Sequence, residues 1–126
     1  NYSPTRISQA FVVGATNNQL ISSGKDAKAS FSRTGSNISA FAPGESVALL
    51  NFNGTSVTNN GTSFSAPYIA GIFAVACQAA GTLCNTATNA TTLYDALRNT
   101  GVIGTVTNTN GTPLTGATSR FIVQQW

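Results

Sequence analysis

The sequence predicts an α/β fold, a layered sheet built around a buried central helix. Three observations lead there. A long apolar run, Ile69 to Ala80, follows a turn at Gly61. Short apolar segments bounded by Gly, Pro and Asn precede it, and a second helical pattern with alternating segments follows it. Strands followed by buried helices favour a layered α/β arrangement. At 126 residues the chain suffices for one domain with one modest core.

The first candidate strand is Ala10 to Thr16, a short apolar run ended by Gly14 and the polar pair Asn17–Asn18. Leu20 to Ser36 is mostly polar, with Gly24 and Gly35 as turn residues, and reads as loop around a short strand near Phe31. Ile38 to Ala42 reads as a strand stopped by Pro43–Gly44, and Val47 to Phe52 as another. Asn53–Gly54 and Asn59–Asn60–Gly61 are turn signals, so the segment between them reads as a hairpin or loop.

The central helix comes next. Its run is apolar on every side, which predicts a helix buried all round rather than an amphipathic surface one. Pro67 limits where it can start, because a proline is tolerated in the first turn and costly further in. The start therefore falls close to Ser63–Ser65, and Gly81 stands at the C-terminal stop. About 17 residues at ~1.5 Å each span roughly 25 Å. Ser63 sits at the helix N-terminus, where free N–H groups and the positive dipole end favour a developing negative charge. As an isolated tripeptide, Gly61–Thr62–Ser63 is an ordinary helix cap.

Thr91 or Thr92 then caps a second helix to about Asn99, with Leu93, Ala96 and Leu97 as its apolar face and Gly101 as its stop. Val102 to Thr107 and Arg120 to Gln124 alternate as strands do, with turns at Asn110–Gly111 and Thr115–Gly116.

The pattern Gly61-Thr62-Ser63-Phe64-Ser65-Ala66-Pro67-Tyr68-Ile69-Ala70-Gly71 resembles the nucleophile segment of the subtilisin-like serine proteases, the subtilases. Ser30-Phe31-Ser32-Arg33-Thr34-Gly35 and Phe41-Ala42-Pro43-Gly44 resemble two further blocks of that family, in family order and at family-like spacing. Asn1-Tyr2-Ser3-Pro4 and Val12-Val13-Gly14-Ala15 are similar to the proteinase-K-like branch. The resemblance runs from Asn1 to about Gly81 and weakens from Thr82 to Trp126. It implies that residues 1–126 are the C-terminal portion of one catalytic domain. The implied fold is part of a three-layer structure with a mostly parallel sheet and the nucleophile at the start of the central helix.

The resemblance makes Ser63 the catalytic nucleophile. It also makes the backbone N–H of Ser63 an oxyanion donor, with support from the Thr62 hydroxyl. A serine hydroxyl is a weak nucleophile until a base takes its proton. The family order is Asp, His, then Ser. This chain has no histidine, and its acids, Asp26, Glu45 and Asp95, lie in no segment like the family's Asp or His motifs. Those residues and the oxyanion-hole asparagine are expected upstream, on a partner chain of the same precursor. A Ser–Lys pair with Lys25 or Lys28 is the other source of a base, but both sit in a polar loop rather than the desolvated pocket such a base needs. The resulting reading is a two-chain serine endopeptidase acting on peptides or proteins. Its alternatives are a non-catalytic binding protein and an inactive fragment.

Composition narrows the rest. Only 7% of residues are charged, and the six basic ones are scattered, which disfavours nucleic acid as a partner. No apolar stretch is long enough for a membrane span. No signal peptide stands at Asn1, so the chain reads as processed or excised. Asn-x-Ser/Thr sequons at Asn1, Asn37, Asn53, Asn60, Asn89 and Asn110 suit a secreted glycoprotein, although chance supplies several in so Asn- and Thr-rich a chain. A glycan on Asn60 would cover a cleft at Ser63. Cys77 and Cys84 are close enough in sequence for a local disulfide across Gly81; reduced thiols and bonds to another chain stay open. No cofactor is expected. Proteinase-K-like enzymes hold a calcium ion with an aspartate at the position of about Ser39, and no acid lies near it here.

Overall fold

A computed structural model describes residues 5–7, 9–20, 26–79, 87–100 and 106–114, with the side chains of 18–20, 87–90 and 100 left aside. Its elements run β1 (Val13–Leu20), β2 (Asp26–Lys28), β3 (Ala40–Pro43), β4 (Val47–Leu50), β5 (Ser56–Asn59), α1 (Thr62–Ala79), α2 (Ala87–Thr100) and β6 (Val106–Thr107).

Four strands form one sheet in the order β3-β1-β2-β6. The β1–β3 and β2–β6 pairs are parallel and the β1–β2 pair is antiparallel. The α/β sheet is thus mostly parallel, as expected. Strands β4 and β5 form a separate antiparallel hairpin. Its turn is closed by Asn51 N–H donating to the Thr55 carbonyl at 2.8 Å and Gly54 N–H to the Asn51 carbonyl at 2.9 Å. Gly54, at φ 81°, takes the left-handed conformation that glycine adopts at least cost.

Side chains alternate between the two faces of the sheet, as strand geometry requires. On one face Phe41 is fully buried with Val12, Ile38, Val106 and Leu114. On the other, Ala40 and Ala42 meet Ile69 of α1, with Phe11, Val13, Ile72 and Phe73 around them. The two alanines are small enough for α1 to lie directly on β3. Gly14 plays the same part opposite, because a Cβ there would run into the Phe41 ring. Helix α2 is joined to this face by Tyr94. Its ring meets Phe11 edge-on at 4.8 Å, and its hydroxyl donates to the Ala10 carbonyl at 2.8 Å.

Several elements differ from the sequence reading. β1 continues past Asn17–Asn18 to Leu20 because β2 pairs alongside it, Thr16 opposite Lys28 and Leu20 opposite Asp26, with an irregularity between. The strand in the polar segment is Asp26–Lys28, not a strand near Phe31; Phe31 is exposed in a turn. Strand β4 ends at Leu50, and Phe52 is exposed in the hairpin turn. Helix α2 starts at Ala87, before the expected caps Thr91 and Thr92, and Ala96 is exposed while Tyr94 takes the packing position. The expected strand at Arg120–Gln124, the stop at Gly81 and residues 102–105 lie outside the described residues.

Burial of α1 also differs. Within this chain only Ser65 and Ile69 of the helix are buried. One face lies on β1 and β3 and one edge touches α2. The rest of its apolar surface is exposed or only partly buried among the described residues.

Candidate active site

Helix α1 begins one residue after Gly61, whose N–H donates to the Gly44 carbonyl at 2.8 Å. Phe64 N–H closes the first turn onto the Gly61 carbonyl at 3.1 Å. The approach is held from the side as well. Asn60 Oδ1 accepts the N–H of Ser46 at 2.7 Å, which stabilises Ser46 in a left-handed conformation at φ 54°. These three hydrogen bonds fix the turn that delivers Thr62 and Ser63.

Ser63 is exposed at the second position of α1, and Pro67, the sixth residue of the helix and so beyond the expected first turn, has no N–H to donate to the Ser63 carbonyl. The Ser63 N–H belongs to the first-turn donors that have no intrahelical acceptor. The first turn holds no acid to compete for the positive end of the helix. Thr62 and Ser63 open together onto an exposed cleft of about 300 Å³. Its other walls are Thr5, Ala10, Phe11, Val12, Val13 and Ala66. The arrangement offers a hydroxyl nucleophile and an unengaged backbone donor at the rim of a partly apolar cleft.

No proton acceptor of catalytic type is among the described residues that line this cleft. Lys28 is held elsewhere, donating to the carbonyls of Ala29 at 2.8 Å and Ser32 at 2.9 Å. Burial lowers its pKa below the ordinary value. A Ser63–Lys28 pair is therefore not assembled, and Lys25 lies outside the described residues. Among the described residues, none that lines the cleft could act as a base toward Ser63.

The other singled-out residues have structural duties. Ser32 Oγ accepts the N–H of Ala15 at 2.9 Å, extending the edge of β1. Ser39 is buried, and its Oγ accepts the N–H of Val12 at 3.2 Å. Its oxygen is committed to the backbone and brings no charge, and no metal-binding group of His, Cys, Asp or Glu occurs among the described residues. The residues present do not fit a calcium ion there. Cys77 is in a disulfide, while Cys84 lies outside the described residues. No described helix is long and apolar enough to cross a membrane.

A larger groove, about 530 Å³, lies between α1 and β4 and includes neither Ser63 nor Thr62. Its lining is apolar, from Leu49, Phe64, Tyr68, Ile72 and Val75 among others. Sequence reasoning placed Thr62 and Ser63 at the start of the helix but did not find the cleft walls. Phe11 and Val13 were readable only as core, and nothing in the sequence pointed to the tie between Asn60 and Ser46.

A model of the subtilase family matches residues 1–119. Among curated proteins, the chain is 37% identical over 78 residues to an alkaline serine exoprotease A of Vibrio alginolyticus, covering 62% of this chain and 14% of that one. It is 40% identical over 74 residues to the subtilisin-like serine protease AsES of Sarocladium strictum, covering 59% and 18%. It is 37% identical over 79 residues to an extracellular serine proteinase of Thermus sp. (strain Rt41A), covering 61% and 18%. Among solved structures, a cold adapted subtilisin-like serine proteinase superposes with a TM-score of 0.71 at 26% identity. That match covers 98% of this chain and 40% of the other. The matched region thus spans less than a fifth of each of these curated relatives.

Proposed function

Because this chain belongs to the subtilase family, we propose that it is the nucleophile-bearing, C-terminal part of a serine endopeptidase of the proteinase-K-like branch. Ser63 attacks the scissile carbonyl of a peptide or protein. Its own N–H, supported by the Thr62 hydroxyl, stabilises the oxyanion. The observation that carries this reading is the exposed Ser63 at the N-terminus of α1, opening onto a cleft, within the family's nucleophile pattern.

The base and its orienting carboxylate come from an upstream segment of the same precursor, together with the oxyanion asparagine. In this chain alone no histidine exists. The apolar outer face of α1 and its groove against β4 support a covering partner, since soluble proteins rarely expose so continuous an apolar surface. The upstream segment is the natural occupant. The working enzyme is then either two chains held non-covalently or one longer chain of which these residues are a part. Secretion fits the sequons, the Cys77 disulfide and the extracellular relative. We assign the partner of Cys77 as Cys84.

The test is peptide hydrolysis by the native protein containing this chain, with and without Ser63→Ala. Loss of the serine is expected to lower kcat by about 10⁶-fold, the size of the loss in subtilisin. Retention of more than a few per cent of activity in the Ser63→Ala protein would discard the nucleophile assignment. A folded native protein that hydrolyses no peptide would favour the non-catalytic alternative.

A further inference from the structure

Gly44 follows β3 and lies directly beneath the first turn of α1. Its N–H donates to the Thr16 carbonyl at 3.1 Å, and its carbonyl accepts the Gly61 N–H. There is no room for a side chain. A Cβ at Gly44 would overlap Ser65 Oγ and lie 2.7 Å from the Ala15 Cβ and 3.0 Å from the Gly61 carbonyl oxygen. Gly44 is not among the residues with positive φ, so it is space and not backbone conformation that demands glycine. Ser65, on the other side of this contact, is completely buried, and its hydroxyl has no hydrogen-bond partner. A buried, unpartnered hydroxyl in place of alanine is not explained by stability. Its position explains it better. Ser65 and Ile69 are the buried residues of α1, one turn apart, and Ser65 is the foot on which the helix stands.

We propose that Gly44 and Ser65 are positioning residues for the nucleophile. This rests on Ser63 being the nucleophile. Ser65 is two residues beyond Ser63 in the same turn, so whatever sets the height of Ser65 above β3 sets the height of Ser63 above the cleft. Two of the three groups nearest a Gly44 side chain, Ser65 Oγ and the Gly61 carbonyl, belong to the segment that delivers Ser63. An added methyl therefore displaces the first turn as a unit. Reaction rates depend steeply on such displacement, because attack needs the reacting atoms at near-contact distance.

The experiment compares the native protein containing this chain with Gly44→Ala, and with a relieved variant that adds Ser65→Ala and Ala15→Gly. Each is assayed for kcat and KM, and for the rate of phosphonate labelling at Ser63, at a temperature where circular dichroism shows it folded. Gly44→Ala is expected to lower kcat and the labelling rate at least about 10-fold, with KM changed by less than about 3-fold. The relieved variant is expected to recover most of the loss. A folded Gly44→Ala protein that labels at the wild-type rate overturns the proposal, as does a loss that the relieving substitutions leave unchanged. A wild-type protein that is folded but never labels overturns the nucleophile assignment itself, and this inference with it. If Gly44→Ala does not fold, Ser65→Cys presses on the same contact from the helix side. It is expected to slow labelling several-fold, and a wild-type rate there overturns the proposal.

Discussion

Tyr94 joins α2 to the rest of the molecule through two separable interactions, and they predict two different losses. Its hydroxyl donates to the Ala10 carbonyl at 2.8 Å. Its ring packs edge-on against Phe11 at 4.8 Å and tilted against Phe73 at 6.1 Å, while Phe11 and Phe73 meet edge-on at 5.5 Å. Tyr94→Phe keeps the ring and removes the donor, for a net cost of about 1 kcal/mol. Tyr94→Ala also removes two aromatic pairs, at roughly 0.5–1.5 kcal/mol each, and the burial of a largely covered ring. Its total is about 3 kcal/mol, the low end for losing a large aromatic side chain. The assay is equilibrium urea unfolding of the native protein followed by circular dichroism, comparing ΔG at constant m. Because Phe11 also walls the Ser63 cleft, Tyr94→Ala is expected to lower peptide hydrolysis while Tyr94→Phe largely preserves it. Equal losses for both variants would refute the packing contribution. A costless Tyr94→Phe would refute the hydrogen bond.

Two further outcomes are expected. Burial raises the Asp26 carboxyl pKa above its ordinary 3.8, so the folded state binds that proton more tightly than the unfolded state. The stabilisation is complete below the unfolded value and is lost as pH rises through the folded one. Asp26→Asn should therefore raise the melting temperature at neutral pH and lose that advantage near pH 3, and a gain independent of pH would count against the burial argument. Phe64 follows Ser63, and the chain has no methionine, so on the proposed reading peroxide has no thioether of this chain beside Ser63 to oxidise. Activity is expected to resist peroxide, and Phe64→Met to become sensitive; equal sensitivity of the two proteins would contradict this.

Legibility followed the range of the forces involved. Helix α1 was readable because its determinants are local: Gly61 at the turn, Pro67 near the start, then a run that is almost wholly apolar. The place of Thr62 and Ser63 at its N-terminus was readable with it. Strand β2 was not, because Asp26–Lys28 has no strand pattern and is a strand only through pairing with β1 and β6. The same pairing carries β1 through Asn17–Asn18, residues that locally favour a turn. Tyr94 outweighed Ala96 on α2 because its partners, Ala10 and Phe11, are more than 80 residues away in sequence. Gly44 read as a strand stop, and its contact with Ser65 is a fact of three-dimensional packing. The open face of α1 follows from what the chain does not itself supply, since an all-round apolar pattern states a need for cover without naming the source.

The nucleophile assignment is tested most directly by a covalent adduct. The native protein containing this chain is treated with a serine-directed phosphonate, digested and mapped by mass spectrometry, then treated again after the upstream segment has been removed. The account predicts a single adduct on Ser63, formed only while that segment is present to supply the base. An intact, folded protein left unlabelled, or labelled at a serine other than Ser63, would contradict it.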